Sequence, residues 1–222
     1  MNIGIVGLGV VGETVKFGLE KKRDHTIFFH DIKFKETSLK NVFDKSELIF
    51  ICVSTPSKKD GSCDITNVKS VVEGLNKLAK EAGQKKDVVI KSTVTVSTIE
   101  KLERKYKNLR LAMNPEFLKE NAAIHDFCNQ DFCVIGTDHK NLYEKIVAVH
   151  GNLAKKYIHT TPINAGLVKY FCNVFNATRV MFSNLFYDLA GSFNADYDVV
   201  KSIAVRRYNV LDYDAICNFC KY

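Results

Sequence analysis

Up to about residue 160, short apolar runs alternate with amphipathic stretches. Residues 3–6, 26–30, 48–53, 87–90, 109–113 and 132–135 are runs of strand length rich in Ile, Val, Leu and Phe. Between them, residues 12–21, 68–82 and 96–107 repeat apolar positions at helical spacing. Strands alternating with helices predict right-handed crossovers and a parallel sheet covered on both faces. The pattern changes at Pro162. Residues 165–189 hold no proline, and Leu167, Val168, Phe171, Val174, Phe175, Val180, Met181, Phe182, Leu185, Phe186 and Leu189 fall at helical spacings. A helix of about 25 residues spans roughly 38 Å, too long for one crossover. It is apolar on more than one face, which predicts packing against a partner as well as its own domain. Burial within one subunit accounts for the same pattern. A shorter helix follows at 196–204. The expected division is a sheet domain, 1–160, and a helical segment, 161–222.

Gly7-Leu8-Gly9-Val10-Val11-Gly12 joins the first strand to the first helix with the spacing G-x-G-x-x-G. Gly7 allows a tight turn, Gly9 lets backbone approach a pyrophosphate, and Gly12 lets the helix pack close to the strand. The phosphates would rest on the helix N-terminus, where free N–H groups and the dipole favour anions. The second strand ends His30-Asp31, and Asp31 follows Gly12 by 19 positions. A carboxylate there accepts both adenosine ribose hydroxyls and repels a 2′-phosphate, which favours NAD over NADP. Lys33 and Lys35 weaken that discrimination. Val53-Ser54-Thr55-Pro56 ends the third strand, and Lys91-Ser92-Thr93-Val94 ends the fourth. Ligands in an open α/β sheet bind beyond the carboxyl ends of strands, so both hydroxyl clusters aim at the cofactor crevice; helix capping is the alternative use of such residues. The fold class is therefore α/β: a Rossmann-type, doubly wound, mainly parallel sheet followed by a long-helix all-α segment.

Composition removes several other classes. The hydrophobic and charged fractions, 46% and 26%, are those of a globular chain. No apolar run approaches the roughly 18–20 residues of a membrane span, and the N-terminus reads as a strand rather than a signal peptide. The formal charge of +7 favours anionic ligands, yet the lysines are dispersed and no nucleic-acid motif accompanies them. Seven scattered cysteines fit reduced thiols in the cytoplasm better than a disulfide framework.

Two clusters carry candidate chemistry. Asn114-Pro115-Glu116-Phe117-Leu118-Lys119-Glu120 follows the fifth strand, and Pro115 suits the first position of a helix. On such a helix Glu116 and Glu120 share a face and can move protons or orient a water; carboxylates favoured by the helix dipole give the same pattern. Lys169 and Asn173 form an i, i+4 pair inside the long apolar helix. A lysine there needs a partner or a wet cavity, and beside a nicotinamide it can bind an alkoxide; snorkelling to the helix edge is the alternative.

These blocks, in this order, resemble the UDP-glucose/GDP-mannose dehydrogenase family over about residues 1–210. The 3-hydroxyacid and 6-phosphogluconate dehydrogenases share the glycine turn and the Lys…Asn helix but not the Pro-Glu-Phe-Leu block. The resemblance implies two NAD-dependent hydride transfers that oxidise a nucleotide-sugar primary alcohol, of the UDP-glucose-to-UDP-glucuronate type. It implies that the cofactor lies against the turn Gly7, Leu8, Gly9, Val10, Val11 and Gly12, then Asp31 and Lys35. Val53, Ser54, Thr55, Pro56, Ser92, Thr93 and Glu120 complete its contacts. Thr93 also faces the reacting centre. Glu116 handles protons or water, and Glu120 lies near nicotinamide and substrate. Lys169 and Asn173 stabilise the oxyanion at the sugar C6. Phe117, Leu118 and Lys119 border the substrate. Arg207 matches the family's arginine that reaches a neighbouring subunit's substrate, although the proline before it is missing. The long helix, 165–190, builds a homodimer core in the family.

The family's catalytic cysteine, in a Gly-Phe-Gly-Gly-Ser-Cys segment, has no match here. Cys217-Asn218-Phe219-Cys220 lies in roughly that region but lacks the glycine turn. Its C-x-x-C spacing supplies too few ligands for a zinc site. The expectation is a family member lacking the third domain, whose oxidation stalls at the aldehyde or does not begin. A non-catalytic NAD-binding or dimerising remnant and a 3-hydroxyacid dehydrogenase using Lys169 are the competing readings.

Overall fold

The computed structural model describes residues 1–118 and 120–208. Seven strands form one sheet: β1 (Asn2–Val6), β2 (Thr26–His30), β3 (Leu48–Ile51), β4 (Lys86–Ile90), β5 (Leu109–Met113), β6 (Cys133–Gly136) and β7 (Tyr157–Thr160). Their spatial order is β2-β1-β3-β4-β5-β6-β7. The chain reverses from β1 outward after β2, which opens a crevice at the carboxyl ends of β1 and β3, the usual ligand site of such sheets. β5 and β6 pair antiparallel, Met113 opposite Gly136, and every other pair is parallel. The sheet is thus the mainly parallel Rossmann-type one that the alternating pattern implies.

The apolar strands are continuous because both faces are covered. Ile49, Ile51, Val88 and Ile90 pack under α2 (Leu39–Lys45), α3 (Thr66–Glu81) and α4 (Thr98–Lys105). Ile3, Ile5, Leu48, Phe50 and Val89 pack under α1 (Val10–Phe17), α5 (Ala123–Cys128) and α6 (Lys140–His150). α1 stops short of the predicted 12–21 helix: it opens at Val10 and gives way to a π turn at Gly18–Lys22. A Cβ on Gly18 would stand 2.4 Å from the Phe127 ring, so the ring of α5 packs directly on the backbone of this turn. Strand β7 and helices α2, α5 and α6 are absent from the sequence pattern. β7 is a partly exposed edge strand whose residues do not form an apolar run.

Helix α7 (Pro162–Ser192) extends the expected 165–189 helix at both ends, and α8 (Tyr197–Tyr208) follows. The chain forms two compact units, Met1–Lys169 and a second one starting at Tyr170. Within the second, Tyr187 and Tyr197 meet edge-on at 5.5 Å, and the Ala195 N–H donates to the Ala190 carbonyl at 2.9 Å. Phe171, Val174, Phe175, Met181, Phe182 and Leu185 are exposed, Phe171 at 74%. Among the described residues, no helix is long and apolar enough to cross a membrane.

Candidate active site

The glycine turn is made by close approach. Gly7 has φ +93°, and a Cβ there would stand 2.8 Å from the Cys52 carbonyl and the Val53 nitrogen beyond β3. Its N–H donates to the His30 carbonyl at 2.9 Å, tying the turn to the end of β2. A Cβ on Gly12 would stand 1.9 Å from the Gly7 carbonyl oxygen, so only glycine lets α1 rise directly from the turn. Gly9 differs, because nothing lies within 4 Å of its missing Cβ. It caps α1 without a side-chain hydrogen bond, so no side chain competes for the first N–H groups of the helix.

Asp31 closes the rim of this turn. One carboxylate oxygen accepts the Leu8 N–H at 2.6 Å and the other the Lys33 N–H at 2.9 Å. Burial opposes its charge, but those two donors and the nearby Lys33 and His30 outweigh it. The carboxyl is held below its ordinary range.

From here a cleft of about 620 Å³ runs past Val10, Val11, Val53, Ser54 and Thr55 to Ser92, Thr93, Glu116, Leu118 and Lys169. The Ser92 hydroxyl donates to the Val53 carbonyl at 2.7 Å and fixes the two turns to each other. A larger groove of about 820 Å³ separates α1 from α5, lined by Val10, Phe17, Ile124, His125 and Asn129 among others. It contains none of Asp31, Thr93, Glu116 and Lys169.

The expected helix face shared by Glu116 and Glu120 does not form. Residues 114–118 are irregular, and only a 3-10 turn, Glu120–Ala122, follows. A residue preceding proline is biased away from the helical region. Asn114 is also held inward, its amide donating to the Val134 carbonyl at 2.8 Å while its oxygen accepts from Lys91 at 3.0 Å. Glu116 is instead 6% exposed, with one carboxylate oxygen 2.7 Å from the Lys91 ammonium. The other accepts the Phe117 N–H at 3.1 Å. Burial opposes the Lys91 charge, but Glu116 outweighs it and pushes the ammonium above its ordinary range. Lys169, the last residue of the first unit, donates to the Glu116 backbone carbonyl and lies 5.4 Å from the Phe117 ring centre.

Other expected residues stand apart from the cleft lining. Gly12 lies behind the turn, and Leu8 is 7% exposed, its N–H given to Asp31. Lys35 and Pro56 are exposed outside the lining. Phe117 packs against Phe132 at 5.8 Å. Asn173 is an exposed residue of the second unit. Lys119, Cys217 and Cys220 lie outside the described residues, as do the side chains of Glu120 and Arg207.

Four contributors escape a sequence reading. Asn67 and Ser70 of α3 line the cleft, and the Asn67 amide donates to the Ser54 carbonyl at 3.1 Å. Ile32, 93% exposed beside Asp31, is an apolar side chain on the cleft rim and fits the flat face of a base. Lys91 is the fourth; a lysine closing an apolar strand was its only signal.

The set fits an extended dinucleotide. The turn would hold a diphosphate on the uncapped N-terminus of α1, and Asp31 a ribose. The far end brings together an amine, a carboxylate and the Thr93 hydroxyl, groups that handle an alcohol and its proton.

The model of the NAD-binding domain of the UDP-glucose/GDP-mannose dehydrogenase family matches residues 33–154. A UDP-glucose 6-dehydrogenase of Rickettsia prowazekii is 33% identical over 185 residues, 80% of this chain and 42% of that protein. A GDP-mannose 6-dehydrogenase of Pseudomonas aeruginosa is 29% identical over 170 residues, 72% of this chain and 39% of that protein. The crystal structure of a ternary complex of GDP-mannose dehydrogenase from P. aeruginosa superposes with a TM-score of 0.84 at 26% identity. It covers 93% of this chain and 57% of that one. The chain thus spans less than half the length of the two curated relatives.

Proposed function

The chain belongs to the UDP-glucose/GDP-mannose dehydrogenase family and carries its NAD-binding domain; from this premise we propose that it serves the NAD-dependent oxidation of a nucleotide sugar at its primary alcohol, of the UDP-glucose type. The observation that carries the reading is the meeting of Lys169 with the Glu116 carbonyl in the cleft that begins at the glycine turn. Asp31 binds the adenosine ribose hydroxyls, and the first turn of α1 holds the diphosphate. Bound NAD supplies the acceptor for a hydride from the sugar C6. Glu116 takes the hydroxyl proton directly or through a water, Lys169 stabilises the alkoxide oxygen that forms on C6, and loss of the hydride leaves the aldehyde. Thr93 orients the alcohol. Asn173, Glu120 and Arg207 are assigned to the substrate by resemblance alone.

A second hydride transfer requires a thiolate that holds the aldehyde as a thiohemiacetal. Cys52 lines the cleft, but burial pushes its thiol up to about 12; Lys91 works against that shift and Glu116 adds to it. It is therefore protonated near neutral pH. We accordingly assign these residues the first transfer, alcohol to aldehyde. The exposed apolar residues of α7 suit a homodimer interface, which sedimentation equilibrium tests. The free cysteines suit a reducing cytoplasm.

The decisive experiment measures NADH formation with UDP-glucose, UDP-N-acetyl sugars and GDP-mannose, beside calorimetry of NAD binding. Turnover of one nucleotide sugar, lost in Lys169→Ala, is the expected result. NAD binding with no turnover of any of them would overturn it in favour of a binding module, and turnover of a 3-hydroxyacid in favour of that class.

A further inference from the structure

The ion pair under the far end of the cleft has a use beyond holding the fold. A carboxylate at this depth must be compensated, and the Lys91 ammonium stands 2.7 Å from the Glu116 carboxylate. Lys91 is 1% exposed on its side chain, and its other partner is the Asn114 oxygen at 3.0 Å. Asn114 is itself clamped to β6 through Val134. This relay fixes the ammonium from two strands, so the ammonium fixes the carboxylate. Both charged residues line the cleft at the end opposite Asp31. With the adenosine at Asp31 and the diphosphate on α1, the nicotinamide falls at this end. That ring is cationic in NAD⁺ and neutral in NADH. A bare buried carboxylate there would bind the oxidised cofactor preferentially and resist its reduction; a bare ammonium would do the reverse.

We propose that Lys91 is a positioning residue that holds Glu116 at the nicotinamide end of the cleft and cancels its charge there, thereby setting the relative affinity for oxidised and reduced cofactor. The inference rests on the cofactor placement proposed above. It does not depend on which sugar is oxidised.

Calorimetry of NAD⁺ and of NADH is the test, on the wild type, Lys91→Met, Glu116→Gln and the double variant, near neutral pH. In Lys91→Met the preference for NAD⁺ over NADH should rise about tenfold, the scale of one charge a few ångströms from another across a largely solvent-screened cleft. In Glu116→Gln it should fall several-fold. In the double variant, where both charges are gone, it should return to within about twofold of the wild type. A purely structural role would weaken both cofactors together and leave their ratio unmoved. Ratios within twofold of wild type in both single variants would overturn the proposal. If Lys91→Met does not fold, Glu116→Gln and the double variant decide alone. Absence of nucleotide-sugar turnover would sink the dehydrogenase reading while the ratios still judge Lys91; a wild type that binds neither cofactor would sink both.

Discussion

Strand β4 starts at one buried lysine and runs out into another, and the two answer burial in opposite ways. Lys86, at the start, donates to the Ser46 carbonyl at 2.6 Å and lies 4.4 Å from the Phe43 ring centre. Burial pulls its ammonium below the ordinary lysine range, and Asp44 and Asp87 offset this only partly. Asp87 gives its oxygens instead to Arg110 at 2.5 Å and to Lys145. Lys91, just past the other end, faces Glu116 and is pushed up. Residue type and strand are shared; Lys91 lies deeper, and the partner differs. A carbonyl and a ring leave a lysine with its desolvation cost, whereas a carboxylate offsets it. At the closed edge of the sheet Lys86 and Asp87 are satisfied internally. At the open edge the pair borders a cleft, which is what separates a structural cluster from a candidate active site.

The contrast can be broken most directly by removing each cation. Lys91→Met strands the Glu116 charge and should cost about 3–5 kcal/mol of unfolding free energy in urea, most of it restored by adding Glu116→Gln. No restoration in the double variant would mean that the pair is not coupled. His150 sharpens the same point, because the open edge acts beyond its own pair. Its ring packs on Phe50 and Phe127, and Phe127 also lies 5.5 Å from the Lys91 ammonium. Burial first, then the Lys91 charge, pushes His150 down to about 3. The unfolded chain therefore binds the extra proton between pH ~6.5 and ~3. Stability is full above that window and falls as pH drops through it, by on the order of 5 kcal/mol. His150→Leu should flatten the urea midpoint over this window relative to wild type; identical pH profiles would refute the assignment.

Within the glycine turn, Gly12→Ala should cost about 3 kcal/mol and abolish NAD binding, since its Cβ meets backbone at 1.9 Å. Gly9→Ala should change stability by less than about 1 kcal/mol, its Cβ entering open space, and weaken NAD alone. Equal thermal shifts in the two would erase the distinction between a glycine for packing and a glycine for ligand approach. The smallest effect is expected from Lys86→Met, about 1 kcal/mol or less, because a lost hydrogen bond is set against relief of a desolvated charge. A loss as large as that of Lys91→Met would end the comparison of the two edges.

The legible parts of this molecule are those with a one-dimensional signature. Central strands such as Leu48–Ile51 and Lys86–Ile90 are buried on both faces and so read as apolar runs. β7, at the edge, has no such run. Gly7 and Gly12 were readable because a tight turn admits no other residue at those positions. Glu116 was singled out, but on the wrong scaffold: the helix expected from Pro115 is displaced by the inward bonds of Asn114, which no local pattern signals.

By itself, then, the order of residues determined the alternating sheet and helices, the glycine turn, the position of Asp31 after the second strand and the family. Each of these depends on neighbours in the chain or on a motif of fixed spacing. Only the tertiary structure decided that Lys91 and Lys169 converge on Glu116, across 25 and 53 positions respectively. A charge can be buried only where another meets it, and which one does so depends on how strands distant in sequence lie side by side.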